Sequence, residues 1–403
     1  MAPLVGLVGK ANVGKSTFFT ASTLKPVDIA GFPFTTIRAD KGIAYLRSPC
    51  VCEELGVEDD PVNSACVDGV RLIPVDLIDT PGLIPGAHMG KGLGNQFLDE
   101  VRRADALIVV CDASGCTDMR GQTCEPGTND PLDDVMMLEE EFDLWLLGLI
   151  KKDWQKVSRT AQSKKEPIYD HLEERTTGLG IDKREIAEAI RRTGLDAFKP
   201  EKWSEDEISR FITELRGVSK PLIVAANKAD KAFSRENVER IRDAGYHVVP
   251  TCAEAELALR RAAEAGLVSY TPGDHDFTII KPEELNQSQL KALEAIREKV
   301  FDRWGTTGVQ EAIDRAFFDL LDVITVYPVE DSERLCDHRG RVLPDCYLVP
   351  RGTNAKRFAG MIHTDLEDTF LYAIDARTKK RLGEDYTLSD NDVIKIVATK
   401  SHQ

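Results

Sequence analysis

The sequence lacks the features that mark a membrane or secreted protein. None of its apolar runs approaches the roughly 20 residues that a membrane-spanning helix needs. The chain opens almost directly on an apolar segment at 4–8, without the pattern of a signal peptide, so we expect a cytoplasmic protein with no membrane partner. In that compartment its nine cysteines are expected to be reduced thiols.

The sequence is also short of positive charge. Its 52 lysines and arginines face 68 aspartates and glutamates, which gives a formal net charge of −16. This balance argues against broad electrostatic binding to nucleic acid, although it is compatible with a local basic surface. The length of 403 residues and the 42% hydrophobic content are typical of a globular protein with two or three domains.

What the chain does contain, directly after its first apolar segment, is a glycine-rich loop. Residues 9–16 read Gly-Lys-Ala-Asn-Val-Gly-Lys-Ser, and the residues that follow can continue as a helix. A strand, this loop and a helix start are the context that the Walker A motif requires, whereas a chance glycine-rich turn needs neither neighbour. We predict a nucleotide-binding loop that consists of Gly9, Lys10, Ala11, Asn12, Val13, Gly14, Lys15, Ser16 and Thr17.

Each part of this loop has a physical task. Gly9 and Gly14 let the backbone curl until successive N–H groups face one anion, and the helix start adds the positive end of its dipole. Lys15 is predicted to act catalytically by reaching the β- and γ-phosphates of a nucleotide. The Ser16 hydroxyl is predicted to bind Mg²⁺.

The segment at 25–38 has the composition of a nucleotide-sensing loop. Its two prolines and its glycine predict a loop that comes soon after the Walker A helix. Thr36, with Thr35 as the runner-up, is predicted to close onto Mg²⁺ and the γ-phosphate as a catalytic and metal-binding residue. The alternative is that the two threonines only stabilise a turn.

A strand predicted at 71–79 ends in a carboxylate. Asp79 is a candidate to hold Mg²⁺, commonly through water, and Gly82 can bring its N–H to the γ-phosphate because no side chain blocks the approach. Leu83 follows, close to where small GTPases of the Ras type place a water-orienting glutamine, so hydrolysis needs other help. His88 is either a group that orients water or an ordinary histidine of a surface loop.

A second strong pattern follows the apolar strand at 221–226, where residues 227–230 read Asn-Lys-Ala-Asp. The carboxylate of Asp230 can accept hydrogen bonds from N1–H and the 2-amino group of guanine, and adenine offers neither donor at that edge. The lysine would lie over the base, the asparagine would brace the loop, and a backbone N–H after the strand at 247–251 would meet guanine O6. The predicted base-binding residues are Asn227, Lys228, Asp230, Cys252 and Ala253.

Together these motifs resemble those of the translation-factor class of GTPases. The run at 79–87, followed by Gly-Lys-Gly-Leu-Gly-Asn-Gln-Phe-Leu at 90–98, resembles the Obg family in particular, and 33–36 fits the switch loop of that family. Within it, the chain is most similar to the archaeal branch of the YchF subfamily, over nearly its whole length. Bacterial and eukaryotic members have an altered base-specificity tetrad and prefer ATP. This chain keeps Asn-Lys-Ala-Asp at 227–230, so that preference is not carried over.

The resemblance implies both a fold and a function. The fold is α/β: a P-loop domain with a doubly wound, mostly parallel sheet, a helical, coiled-coil-like insertion and a small β-rich, ubiquitin-like TGS domain. The function is binding of GTP and GDP with slow hydrolysis, Mg²⁺ as a cofactor, and contact with the ribosome or RNA through the TGS and helical domains. Alternatives are an ATPase, and a nucleotide-gated binding module with incidental turnover. Asn12 occupies a Walker A position that ligates K⁺ in some similar GTPases, which makes it a candidate K⁺ ligand.

The chain is expected to divide where its patterns change. About a hundred residues separate the strands at 105–112 and 221–226, far more than a βαβ unit needs, and their apolar spacing predicts helices. Alternation from Val323 onward predicts a β-rich unit, whose basic run at 377–381 either contacts RNA or is a solvated loop. The predicted segments are 1–129 and 218–320 for the two parts of the GTPase domain, 130–217 for the insertion and 321–403 for the TGS domain.

Three cysteines lie close together in a turn-rich segment. Cys50 and Cys52 form a Cys-x-Cys pair, and Cys66 follows at a distance. Structural zinc needs four ligands, usually in close pairs, so this spacing is a poor zinc signature. Free, mostly buried thiols are the favoured interpretation.

Overall fold

The computed structural model describes residues 3–24, 41–83, 85–89 and 100–399. Thr36, its runner-up Thr35 and the run at 90–98 lie outside the described residues. Within the described ranges, helices surround one large sheet, and a smaller sheet lies near the C-terminus. This arrangement agrees with the predicted α/β fold, with a mostly parallel sheet, a helical region and a small β-rich unit at the C-terminal end.

The large sheet is mostly parallel. Its strands in chain order are β1 (Leu4–Val8), β2 (Lys41–Pro49), β3 (Ala65–Val67), β4 (Val70–Asp79), β5 (Ala106–Asp112), β6 (Leu222–Asn227) and β7 (Val248–Pro250). Across the described part of the sheet the order is β2-β4-β1-β5-β6-β7, and β3 also pairs with β4. β2 and β3 are antiparallel to β4, and the other pairs are parallel. The loops after the parallel strands therefore meet at one edge of the sheet.

The central strand β5 shows why the sheet is covered on both faces. All of its residues are buried, and alternate side chains belong to different apolar clusters. Leu107, Val109 and Cys111 pack on one face, and Ala106, Ile108 and Val110 pack on the other. Because side chains alternate along a strand, a continuous apolar run such as this one predicts layers on both sides.

The predicted helical insertion is confirmed as a helical region. Two helices precede the insertion, α1 (Lys15–Thr23) and α2 (Val51–Leu55). The helices of the insertion are α3 (Pro131–Lys151), α4 (Trp154–Lys164), α5 (Tyr169–Thr176), α6 (Lys183–Thr193) and α7 (Glu205–Ser219). Buried residues of α3 to α7, such as Phe142 and Phe211, belong to the same apolar cluster as Val8 and Leu107 of the sheet. The insertion and this face of the sheet therefore share one apolar core, in which the helices of the insertion also pack against one another.

The remaining helices complete the layers around the sheet. They are α8 (Ser234–Asp243), α9 (Ala253–Glu264), α10 (Gln287–Ile296), α11 (Asp302–Trp304) and α12 (Val309–Arg315). A π-helical stretch at Arg297–Phe301 joins α10 to α11, another at Ala316–Leu320 follows α12, and β8 (Val268–Ser269) and β9 (Thr278–Ile279) form a hairpin. None of the helices in the described ranges is long and apolar enough to cross a membrane.

The C-terminal unit has a mixed sheet with two helices. Its elements are β10 (Val323–Pro328), β11 (Tyr347–Pro350), α13 (Ala355–Ile362), α14 (Thr364–Asp368), β12 (Phe370–Asp375), β13 (Arg381–Leu382) and β14 (Asp392–Ala398). The described strands have the order β11-β10-β14-β12-β13, with β10 and β14 parallel. The division of the chain at residues 130, 218 and 321 stays a prediction; α3 begins at Pro131, α7 ends at Ser219 and β10 begins at Val323.

The C-terminal unit is docked on the large sheet by backbone pairing and by arginines. The N–H groups of Asp60 and Val62 donate to the carbonyls of residues 342 and 344, at 2.8 and 2.6 Å. The Arg377 guanidinium donates to both carboxylate oxygens of Glu54 in α2, at 2.7 Å each. The Arg377 end of the basic run at 377–381 therefore has a partner outside the C-terminal unit. Lys379, Lys380 and Arg381 are exposed, although Lys379 donates to the Ser332 carbonyl and Arg381 lies over the Tyr372 ring.

Two phenylalanines of the insertion, one buried and one exposed, can test whether the insertion shares a core with the sheet. Phe211 of α7 is fully buried and lies 5.4 Å from the Trp203 ring, whereas Phe198 of the same insertion is 52% exposed. We expect Phe211→Ala to lower the free energy of unfolding by about 3–5 kcal/mol and Phe198→Ala by about 0.5 kcal/mol or less. Urea unfolding followed by tryptophan fluorescence measures both. Equal midpoints for the two variants would contradict the shared core.

Candidate nucleotide-binding site

The loops after β1, β4, β6 and β7 enclose one cavity of 520 Å³ at the carboxyl edge of the large sheet. This volume is within the range of small-molecule sites. Gly9 and Val13 are buried and do not form its wall, although both were predicted to bind the nucleotide. The lining residues are Lys10, Ala11, Asn12, Gly14, Lys15, Ser16, Thr17, Gly82, Asn227, Lys228, Asp230, Lys231, Cys252, Ala253 and Glu254.

The turn into α1 depends on the absence of a side chain at Gly14. Gly14 has φ +95° and caps α1, and a Cβ atom there would collide with the side-chain nitrogen of Asn227. A larger residue would therefore be strained by its own backbone and by this contact. The glycine lets the phosphate loop lie directly against the loop after β6.

The predicted phosphate- and metal-binding side chains meet at the start of α1. Lys15 is buried and its ammonium forms an ion pair with Asp79 at the end of β4. The Ser16 hydroxyl lies 3.5 Å from the other oxygen of Asp79. Two oxygens that ligate one Mg²⁺ ion lie at most about 4.2 Å apart, because Mg–O bonds are about 2.1 Å long. The hydroxyl and the carboxylate thus fit a magnesium site, and their hard oxygen donors suit that ion.

The segment after Asp79 closes over the phosphate loop. The Leu83 N–H donates to the Gly9 carbonyl at 3.0 Å, and a Cβ atom at Gly82 would lie 3.2 Å from the Ala11 nitrogen. Gly82 is exposed on the cavity, whereas the Leu83 side chain is buried in the apolar cluster on the insertion side of the sheet. Leu83 therefore offers the cavity no group that could orient water.

Asn227 joins three loops. Its amide nitrogen donates to the Val13 carbonyl at 2.9 Å, and its carbonyl oxygen accepts from the Ala253 N–H at 3.0 Å. The brace predicted for Asn227 is thus present in the structure. The Ala253 N–H, predicted to meet guanine O6, is engaged by this brace, so the turn after β7 is fixed by Asn227.

Lys228 is anchored to the phosphate loop. Its ammonium donates to the Asn12 carbonyl at 2.9 Å and to Asp112 at 2.8 Å, and Lys228 has φ +61°. Burial would raise the pKa of Asp112, but hydrogen bonds from Lys228, Ser114 and Thr117 outweigh it and hold the pKa below its usual value. The ionised Asp112 therefore fixes the lysine stem along the cavity wall.

Asp230 presents a carboxylate to the same cavity. It is half-buried, and one of its oxygens lies 3.4 Å from the Cys252 sulfur. Burial, together with the charge of Asp230, raises the pKa of the Cys252 thiol, which therefore stays protonated and can donate to the carboxylate. Cys252 thus acts as a positioning residue for Asp230.

The Lys10 side chain does not serve the cavity in the way its place in the loop suggests. Its ammonium is buried and donates to Asp134 of α3 at 2.6 Å and to the Thr117 carbonyl at 2.7 Å. Burial raises the pKa of Asp134 to about 6, and the hydrogen bond from Lys10 acts in the opposite direction. The prediction that Lys10 binds the nucleotide therefore applies to its backbone, because its charge is used to hold α3.

Asn12 has a structural partner of its own. Its amide nitrogen donates to the Gly121 carbonyl at 2.8 Å, and its backbone has φ +64°. The side chain thus ties the phosphate loop to the loop between β5 and α3. This contact uses the amide nitrogen and leaves the side-chain oxygen as the atom that could ligate a cation.

The turn at 86–88 is clamped by the insertion. Glu141 of α3 accepts hydrogen bonds from the N–H groups of Gly86 and His88 and contacts the His88 ring at 2.6 Å. Burial would raise the pKa of Glu141, but these hydrogen bonds outweigh it and lower the pKa. His88 is therefore neither a free surface histidine nor a lining residue of the cavity.

Several residues that build the site had no motif to identify them. Asp112 could have been found, because it ends a buried strand as Asp79 does. The others act through contacts between segments more than fifty residues apart, which a local pattern does not contain. They are Thr117, Gly121, Asp134 and Glu141.

Three segments of the chain match known protein families. Residues 4–138 match the family described as "50S ribosome-binding GTPase", 225–331 match "Obg-like GTPase YGR210-like, G4 motif-containing domain", and 339–398 match the TGS domain. A GTP-binding protein of Methanocaldococcus jannaschii is 48% identical, with 98% of this chain and 99% of that protein covered. "Ribosome-binding ATPase YchF" of Bacillus subtilis is 25% identical, with 98% of each chain covered.

A solved structure agrees with these similarities. The crystal structure of a GTP binding protein from Pyrococcus horikoshii is 40% identical, covers 98% of this chain and 99% of its own, and superimposes with a TM-score of 0.78. Similarity of this extent spans the P-loop domain, the insertion and the TGS domain together. The chain belongs to the YchF family of Obg-like GTPases.

Proposed function

We propose that this protein binds GTP with Mg²⁺, hydrolyses it slowly to GDP and phosphate, and acts in the cytoplasm as a nucleotide-controlled partner of the ribosome. The observation that carries this proposal is the position of Asp230, which shares one cavity with Lys15 and Ser16. A carboxylate there can accept two charge-assisted hydrogen bonds from guanine. Adenine would leave it without these two donors, at a cost of about 1–3 kcal/mol.

Ser16 and Asp79 would hold the Mg²⁺ ion, which supplies charge neutralisation at the β- and γ-phosphates. Lys15 forms an ion pair with Asp79 in this structure. On nucleotide binding, the phosphate oxygens would replace that carboxylate as the partner of Lys15. Thr36 and the Gly82 N–H are proposed as the groups that sense the γ-phosphate.

Hydrolysis forms a bond from a water oxygen to the γ-phosphorus and breaks the bond from that phosphorus to the oxygen that bridges to the β-phosphate. The proton of the water leaves with the phosphate product or passes to solvent. Slow turnover is proposed because the buried Leu83 carries no group that could orient the water. A K⁺ ion at the Asn12 side-chain oxygen would add positive charge where the bridging oxygen becomes negative.

The ribosome is proposed as the partner for two reasons. The P-loop segment matches a family described as ribosome-binding, and the Bacillus subtilis relative carries the same words in its name. In addition, Lys379, Lys380 and Arg381 remain exposed on the C-terminal unit of an otherwise acidic chain. A local basic surface of this kind is suited to RNA phosphates.

An ATPase is the second candidate, because the Bacillus subtilis relative is named an ATPase. A binding module in which hydrolysis is incidental is the third. The preference for guanine or adenine distinguishes the GTPase from the ATPase. Whether a slow-hydrolysis variant keeps its cellular function distinguishes both from a binding module.

Base preference is tested at Asp230. We expect the wild type to prefer GTP over ATP by about 10⁴-fold, as sites built on such hydrogen bonds do. In Asp230→Asn the amide can donate to the 2-oxo group of xanthine, so affinity should move from GTP towards XTP. Competition binding with GTP, ATP and XTP measures the change, and Asp243→Asn, an exposed aspartate of α8, is the matched control. Equal affinity of the wild type for ATP and GTP would favour the ATPase.

The K⁺ proposal is tested with two substitutions at one position. Asn12→Ala removes both the side-chain oxygen and the N–H that donates to Gly121, whereas Asn12→Asp keeps an oxygen and loses the donor. We expect KCl to accelerate GTP hydrolysis relative to NaCl in the wild type and in Asn12→Asp, but not in Asn12→Ala. Phosphate release at matched ionic strength measures the rates. The same rate in both salts for the wild type would reject K⁺ as a cofactor.

The ribosome proposal is tested by sedimentation of the protein with ribosomes in GTP-loaded, ATP-loaded and nucleotide-free states. We expect the fraction of protein that pellets with ribosomes to differ between the GTP-loaded wild type and its nucleotide-free form. Lys15→Ala should remove the difference, because it lacks the cation that meets the phosphates, while its circular-dichroism spectrum at the assay temperature remains that of a folded protein. The exposed Lys152→Ala in the insertion is the charge-matched control. Identical pelleting of the wild type in all three states would contradict a nucleotide-controlled partner.

A further inference from the structure

Three cysteines and one aspartate meet at the opposite end of β4 from Asp79. Cys50 follows β2, Cys52 lies in α2, Asp59 lies in the loop after α2 and Cys66 lies in β3. One donor atom from each of the four lies within 4.8 Å of the donor atoms of the other three. The fold therefore adds a fourth ligand, an aspartate, to a set of cysteines whose spacing alone is a poor zinc signature.

The distances in this cluster are close to those of a tetrahedral metal site. With Zn–S bonds of about 2.3 Å, two sulfur ligands lie about 3.8 Å apart. The sulfurs of Cys52 and Cys66 are 3.8 Å apart, too far for a disulfide. With a Zn–O bond of about 2.1 Å, a sulfur and an oxygen ligand lie about 3.6 Å apart, and the Cys50 sulfur is 3.2 Å from Asp59 Oδ2. Shifts of about 1 Å would place all four donors around one ion.

We propose that these four side chains bind one structural Zn²⁺ ion. Three thiolates are soft ligands that select zinc over Mg²⁺ or Ca²⁺, and a set of four protein ligands leaves no open position for catalysis. On binding, the three thiol protons pass to solvent and the sulfurs bind the ion as thiolates. The site goes beyond the proposed GTPase activity, since it shares no residue with the nucleotide cavity.

A buried arginine completes the charge balance of the cluster. Three thiolates and a carboxylate around one Zn²⁺ ion leave a net charge of −2, which is costly to bury unless a cation is near. Arg71 is fully buried, and its guanidinium donates to Asp59 Oδ2 at 2.9 Å. A hydrogen bond of this kind also fixes the orientation of a metal-ligating carboxylate. Arg71 is therefore proposed as the positioning residue for Asp59.

The metal would stiffen the loop that holds the C-terminal unit. The loop between Cys52 and Cys66 contains Asp60 and Val62, whose N–H groups donate to carbonyls of the C-terminal unit. The second guanidinium nitrogen of Arg71 also donates to the Leu343 carbonyl of that unit. Zinc ligands on both sides of this loop would close it into a short ring and reduce its freedom before docking.

The test uses the full chain, purified without chelator, and the metal alone as the probe. We expect one zinc ion per chain, and Co²⁺ in its place should give thiolate-to-cobalt charge-transfer absorption. Cys66→Ser and Asp59→Ala should lose zinc and the absorption, whereas Asp59→Cys should keep zinc and absorb more strongly, because it adds a thiolate. The matched controls are Cys124→Ser, another half-buried cysteine, and Asp60→Cys, the neighbouring aspartate.

A second measurement does not depend on the folding of any variant. Removal of zinc from the wild type by a chelator should speed hydrogen exchange at the amides of Asp60 and Val62, while the amides of α6 in the insertion should keep their rates. Wild-type protein that binds no zinc after incubation and dialysis would overturn the proposal. Equal zinc content in Cys66→Ser, Cys124→Ser and the wild type would also overturn it.

Discussion

The nucleotide cavity depends on a single side-chain amide. Asn227 donates to the Val13 carbonyl and accepts from the Ala253 N–H, so one residue joins the phosphate loop, the base loop and the turn after β7. The amide can do this because it carries a donor and an acceptor on one rigid plane, which neither a carboxylate nor a hydrocarbon provides. The contact also requires Gly14 to lack a side chain. The span between the phosphate and base ends of the cavity is therefore set before any ligand enters.

Helix α3 contacts two separate parts of the site, the phosphate loop and the turn at 86–88. Asp134 accepts from Lys10 of the phosphate loop, and seven residues later Glu141 accepts from the backbone of Gly86 and His88. Residues seven apart lie on the same face of a helix, two turns from each other. Both carboxylates are buried, and a buried carboxylate that loses its partners is costly. A shift of the 86–88 turn would therefore have to carry α3 with it or break these bonds.

Local sequence pattern was sufficient to predict the parts of the molecule whose structure depends on backbone conformation. The Walker A loop, the strand-end Asp79 and the tetrad at 227–230 could be placed from sequence, because glycine conformation and strand polarity act within a few residues. Local pattern does not show which distant segment a side chain reaches. The bond from the ammonium of Lys10 to Asp134 has no signature in the sequence, and helical spacing identifies the apolar faces of the insertion without naming what covers them. The position of Asp59 beside the three cysteines was not predicted either, because no spacing rule connects Asp59 to Cys66.

Strand β4 connects the two ends of this architecture. Arg71 at its start contacts Asp59 and the C-terminal unit, and Asp79 at its end contacts Lys15 and Ser16. Eight residues of extended chain separate them by about 26 Å. β4 pairs on both sides, with β1 and with β2, so neither end can slide without breaking ladder hydrogen bonds. The C-terminal unit is therefore held at a fixed distance from the nucleotide site.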